Sequence, residues 1–158
     1  MRSPLDNFLI KYVNDRTVAL LGRDFETEEA REIDRCKKVL ESDLDDQQKI
    51  RYKEHYYLTW ELRRVMLMYG YIRGLLSVLE PAESYELEEL KSYTSAKEIH
   101  QKSLEDFANS LPCHLQVCFR HHETLVLNCT SKQVKECMEA GRKDFNELLL
   151  YLNRPEHR

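Results

Sequence analysis

Apolar residues recur at the spacing of an α-helix along most of the chain, so the pattern predicts a succession of long helices. The first predicted helix begins at Ser3-Pro4, where a capping hydroxyl precedes a proline, and it ends near Gly22. A second predicted helix, at about 28–41, is sparsely apolar and heavily charged.

The third predicted helix carries the strongest pattern in the chain. Residues 42–45 can cap it, and Pro81 ends it. A helix of that length is about 50 Å long, which exceeds the width of a small domain. Within it, the segment Val65–Leu79 is apolar on every side, and its only charge is Arg73.

A fourth helix is predicted at about 84–110, and the pattern then changes. Apolar residues alternate with other residues at 115–119 and again at 125–127, with a polar segment at 120–123 between them. This alternation predicts a short β-hairpin. A capping box at 130–133 predicts the start of a last helix.

These elements predict a mainly α protein. We expect an antiparallel helical bundle over 1–112, followed by a small, reduced α+β segment over 113–158. The length of 158 residues fits one domain with a small appendage. Four glycines and four prolines are few for a β-rich chain, which agrees with long helices.

A helix that is apolar on all sides must be enclosed, and three kinds of enclosure are open for Val65–Leu79. A membrane span is disfavoured, because the run is shorter than the ~20 residues that a bilayer needs and contains Arg73. The chain's own bundle could enclose it, but the other predicted helices are charged and offer little apolar surface. The pattern therefore favours burial against other subunits.

Two glycines in this run, Gly70 and Gly74, lie on one helix face and allow another backbone to approach closely. Each lowers helix propensity by about 1 kcal/mol relative to alanine, so a packing role is expected. The alternative is that they make local room for Tyr69 or Tyr71.

The charge of Arg73 needs a buried carboxylate or carbonyl partner. A neighbouring subunit could supply it, and the candidates within the chain are Glu28, Glu29 and Asp34. The predicted subunit interface consists of Trp60, Val65, Met66, Met68, Tyr69, Gly70, Tyr71, Ile72, Arg73, Gly74, Leu76 and Leu79.

The end of the third predicted helix also contains a sequence signature. An aromatic–aliphatic–arginine triplet at 71–73 is followed by Leu76 and by a hydrophobic–acidic pair at 79–80. An acidic, leucine-bearing helix follows, then "VCFRHHE" at 117–123 and "CMEAG" at 137–141. In order and spacing these segments, over about 46–141, resemble the Sld-type subunit of the GINS complex, as a divergent member with a shortened B domain.

The resemblance implies a subunit of a heterotetramer of related helical chains in the nucleus. It implies the MCM helicase and its Cdc-type cofactor as partners, and a role in activating replicative unwinding. Subunits of that family are scaffolds, so no catalytic residue, metal or cofactor is expected. The alternative is an all-helical adaptor subunit of an unrelated nuclear or cytoskeletal assembly, such as a kinetochore complex.

The charge of the chain gives no sign of direct nucleic-acid binding. The formal net charge is −4, and acids and bases are interspersed rather than collected into a basic patch. The five cysteines are an odd number without framework spacing, which favours a reducing compartment, and the N-terminal residues lack the pattern of a signal peptide.

The cysteines and histidines of the last third offer a further alternative, a small zinc module. Its ligands would come from Cys113, Cys118, His121 or His122, and Cys129, with Cys137 nearby. The segment has no C-x2-C pair and no glycine knuckle, so we expect zinc to be absent. A cysteine nucleophile lacks an activating context as well, and the sequence predicts no enzyme.

Overall fold

The protein is an α-helical bundle in a computed structural model that describes residues 4–21, 27–78 and 88–153. Its helices are α1 (Pro4–Leu21), α2 (Glu28–Asp43), α3 (Asp46–Leu76), α4 (Glu88–Ala108) and α5 (Cys113–Leu152). The prediction of a mainly α fold is confirmed, and every regular element within the described residues is a helix.

The helix starts follow the capping chemistry of the sequence. The Asp45 side chain accepts a hydrogen bond from the backbone N–H of Gln48, whose side chain accepts one from the Asp45 backbone, and this capping box opens α3. The side chain of Thr27 caps α2 in the same way, by accepting from the N–H of Ala30. Pro112 stands at the N-cap of α5, at the predicted boundary between 112 and 113.

The predicted hairpin between 115 and 127 is wrong, because α5 is one continuous helix there. Leu115, Phe119 and His122 are buried at spacings of four and three residues, whereas Val117 is 65% exposed. Two residues of the buried helix face, His122 and Glu123, are polar. Because a hydrophobicity pattern counts only apolar residues, it predicts a turn at these positions.

The predicted helix start at Thr130 is also wrong. Thr130 lies inside α5, and its hydroxyl donates to the carbonyl of Val126 one turn earlier. The side chain of Gln133 accepts from Arg63 of α3 instead of closing a capping box.

Helices α3 and α5 run parallel to each other at the centre of the bundle. At their contacts, the residue numbers of the two helices increase in the same direction. Thr59 contacts Glu123, and Arg63, one turn later in α3, contacts Thr130. Helix α4 lies between them in the chain and runs antiparallel to both. Against α3, Tyr93 contacts Tyr69 and Ser103 contacts His55. Against α5, His100 contacts Glu123 and Glu105 contacts Arg120.

Two hydrophobic clusters form the core along this central pair. The first lies near the start of α5 and consists of Leu40, Leu44, Tyr52, Leu104, Phe107, Ala108, Leu111, Leu115 and Phe119. The second lies further along and joins Val13 of α1 to Leu67, Tyr71 and Cys137. Leu115 and Phe119 share a cluster with residues of α2, α3 and α4. Residues on both sides of the domain boundary predicted at 112 therefore pack in one core.

Candidate functional site

The two glycines of the predicted interface lie against α5 of the same chain. A methyl group on Gly70 would meet the side chain and carbonyl of Val134, and one on Gly74 would meet the carbonyl oxygen of Met138. A glycine of α5, Gly141, faces the backbone of Tyr71 in the same manner. The close backbone approach predicted for another subunit is therefore made within the chain.

The remaining predicted interface residues differ in exposure. Tyr71 is fully buried and its hydroxyl donates to Asp144, while Trp60 is 38% exposed. The guanidinium of Arg73 lies 5.7 Å from the centre of the Tyr69 ring. Glu29, one of the predicted partners of Arg73, forms an ion pair with Lys132. Half-buried positions are Val65, Met66, Met68, Tyr69, Ile72, Arg73 and Leu76; Leu79 lies outside the described residues. Their role in a subunit interface stays a prediction.

An exposed apolar segment occurs at the C-terminal end of α5. Five consecutive residues are exposed there, with relative exposures of 36–71%: Leu148, Leu149, Leu150, Tyr151 and Leu152. Since consecutive residues point in all directions around a helix, this end is apolar on every side. Contiguous exposed apolar surface of this kind is a candidate surface for association.

A buried polar cluster lies where α3, α4 and α5 meet. His55 of α3, His100 of α4 and Glu123 of α5 are each exposed by only 1–2%. The Nε2 atoms of both histidines lie 3.1 Å from the same carboxylate oxygen, Oε2 of Glu123. The hydroxyl of Thr59, one turn after His55, lies 3.0 Å from that oxygen.

A second layer of side chains orients this cluster. The other carboxylate oxygen of Glu123 lies 3.1 Å from Nδ1 of His122, and Nδ1 of His55 lies 2.9 Å from the Ser103 hydroxyl. Aromatic rings enclose the site, since His55 packs edge-on to Phe119 with ring centres 5.1 Å apart. The donors and acceptors are therefore held in fixed directions inside an apolar wall.

The electrostatics of the cluster favour an ionised carboxylate. Burial by itself raises the pKa of Glu123, but hydrogen bonds from His100, His122 and His55 outweigh it and leave the pKa well below its usual value. A buried negative charge is thus held among imidazole rings. Such an arrangement can stabilise a polar core or coordinate a metal ion.

Little in the sequence indicates this cluster. Its three main members come from separate helices, within "KEHYY", "EIHQK" and "RHHET". Only His122 had been considered as a ligand, and it lies in the second layer. The sole local signal is that His55 and Thr59 are four residues apart and therefore share one face of α3.

A cleft of about 450 Å³ leads from the surface towards the cluster. It lies between α2 and the central pair, with Tyr56 and Trp60 among its walls. Thr59 and His122 also line it, although both are almost completely buried. The cluster is therefore enclosed but close to a surface opening.

The cysteine zinc site considered from the sequence does not form. Cys113, Cys118, Cys129 and Cys137 all lie on α5, and the first and last are about 36 Å apart along the helix axis. The thiol of Cys118 instead lies beside α2, 3.7 Å from the carbonyl oxygen of Cys36.

No protein-family model, curated protein or solved structure matches the chain. In the described ranges, none of the helices combines the length and hydropathy that crossing a bilayer requires.

Proposed function

We propose that this chain is a non-catalytic subunit of a larger assembly, which it joins through the apolar end of α5. The observation that carries the proposal is the run Leu148–Leu152, in which all five large apolar side chains are exposed. A partner that covers this end would remove from water a surface that the bundle itself leaves uncovered.

The GINS-like version of this proposal is the more specific one. It is supported by the order of segments over 46–141, and the first of them lies at the end of α3. It predicts related helical subunits, the MCM helicase and its Cdc-type cofactor as partners, and a nuclear location. The segment 117–123, which resembles the first strand of the B domain in that family, is helical in this chain. The segments before residue 112 therefore carry the support for this version.

The second version is an adaptor subunit of an unrelated helical assembly. It is supported by the geometry alone, since an apolar helix end can dock into a groove of any helical partner. The two versions share the same contact surface and differ in which chains bind to it.

The isolated chain is expected to self-associate through this surface. Replacing Leu150, which is 71% exposed, by glutamate places a charge in the apolar patch and should shift the protein towards monomer. Sedimentation velocity from low to high micromolar concentration measures the shift. The melting temperature should change little, because Leu150 makes no contribution to either core cluster.

Val117→Glu is the matched control, because Val117 is 65% exposed at the opposite end of the same helix. It should self-associate like the wild type. A wild-type chain that stays monomeric at high micromolar concentration, with Leu150→Glu indistinguishable from it, would show that the end of α5 does not mediate self-association.

A further inference from the structure

We infer that the buried cluster of His55, His100 and Glu123 is a binding site for one divalent ion of the zinc class. The inference is independent of the proposed role in an assembly, since it rests on residues in the interior of the bundle. It assigns to these side chains the role of metal ligands, with the Thr59 hydroxyl or a water as the fourth donor.

The spacing of the donor atoms fits a tetrahedral ion. Zinc binds histidine nitrogen and carboxylate oxygen at about 2.0–2.2 Å, so neighbouring ligand atoms in a tetrahedron lie roughly 3.3–3.6 Å apart. In the cluster, each Nε2 lies 3.1 Å from Oε2 of Glu123, and the Thr59 hydroxyl lies 3.0–3.3 Å from all three of these atoms. The two histidine nitrogens and the carboxylate oxygen all lie within 4.8 Å of one another, so side-chain movements can bring them around one ion.

The chemistry of the donor set also fits. Two imidazoles and one carboxylate are typical ligands of zinc and other first-row transition metals. Coordination by Nε2 requires that the ring proton lies on Nδ1, and in His55 that atom is 2.9 Å from the Ser103 hydroxyl, which can accept it. His122 holds the second oxygen of Glu123, as outer partners of ligating carboxylates do.

The charges support the same conclusion. A divalent ion binds a glutamate side chain in its carboxylate form. An ionised carboxylate buried in a bundle is compensated best by a positive charge at short range. A dication between the histidines and the carboxylate supplies it.

Burial indicates a structural site with a protected ion. The ligating side chains are 98% or more buried, whereas a catalytic zinc keeps a position open to substrate. The cleft lined by Thr59 and His122 provides a path for the ion towards the cluster. One ion at this point would tie α3, α4 and α5 together.

A second group of donors, Glu32, Cys36 and His121, is the nearest competitor for a metal. Its histidine nitrogen and carboxylate oxygen are 3.9 Å apart, and both of these side chains are substantially exposed. Burial raises the pKa of the Cys36 thiol to about 11, which disfavours the thiolate that zinc binds. The histidine–glutamate cluster is the better preorganised of the two.

The test is a zinc titration of the full chain after chelator dialysis, read by metal analysis and by the melting temperature. We expect one equivalent of zinc per wild-type chain and a rise of roughly 5–10 °C when free zinc exceeds Kd about 100-fold. His100→Gln should lose the bound equivalent. His122→Gln should keep it at saturation with affinity lowered about 10–100-fold, because His122 orients the ligand Glu123.

His121→Gln, beside His122 but exposed, is the matched control and should bind zinc like the wild type. The absorption spectrum of the cobalt-substituted wild type is a second readout, and it needs no variant. A tetrahedral site without cysteine shows d–d bands and no thiolate charge-transfer band. Absence of zinc binding by the wild type would overturn the inference. So would a thiolate band, or zinc that is lost in His121→Gln and kept in His100→Gln.

Discussion

Glu123→Ala is expected to lower the free energy of unfolding by about 3–5 kcal/mol, because each buried donor that is left without an acceptor costs about 1–3 kcal/mol. The carboxylate is the shared acceptor of His55, His100, His122 and Thr59, so its loss leaves several buried donors without a partner. Urea denaturation in the presence of a chelator measures the effect of the protein network alone, without a metal ion.

Glu139→Ala is the control for this experiment, because Glu139 is an exposed acid on the same helix. It should change the unfolding free energy by less than about 0.5 kcal/mol, as surface substitutions usually do. A loss below about 1 kcal/mol for Glu123→Ala would mean that the cluster contributes little to stability.

Gly74→Ala is the second substitution with a large expected effect. The added methyl group would overlap the carbonyl oxygen of Met138, a backbone atom that cannot move aside without bending α5. Overpacking costs typically 1–3 kcal/mol and occasionally more, and the gain in helix propensity returns about 1 kcal/mol. Because the clash is with backbone, we expect a net loss of about 2 kcal/mol or more, read as a melting temperature lower by roughly 4–8 °C.

Gly70→Ala provides a graded comparison on the same helix face. Its methyl group would lie 2.9 Å from the side chain and the carbonyl oxygen of Val134, so the overlap is smaller and the destabilisation should be too. If Gly74→Ala leaves the isolated chain as stable as the wild type, α5 does not pack there. Gly74 would then return to the subunit interface that the sequence predicted.

The helices could be predicted because their signals are local. The cap within 42–45, the end of the fourth helix near 110 and the apolar period of α3 each act over a few residues, and all of them correspond to observed helix ends or faces. Propensity and capping are properties of short segments, so one sequence is sufficient to locate them.

The helical structure of the first part of α5 could not be predicted, because the buried face of this part is partly polar. His122 and Glu123 occupy core positions that an apolar period would fill, and their pairing with His55 and His100 involves helices more than 20 residues away. The intrachain packing of α3 on α5 was missed for the same reason, whereas the subunit interface of α3 stays a prediction. Once residues 113–152 are helical, they supply the surface that covers Gly70 and Gly74.

The most direct test of the proposed assembly role is stoichiometric co-purification through an affinity tag on the full chain, with Leu150→Glu and Val117→Glu in parallel. We expect the wild type and Val117→Glu to bring down the same companion chains in fixed ratio, and Leu150→Glu to lose them. Three GINS-type chains together with MCM subunits would identify the specific version, and other helical chains the adaptor version. Recovery of all three proteins alone, as stable monomers, would contradict the account.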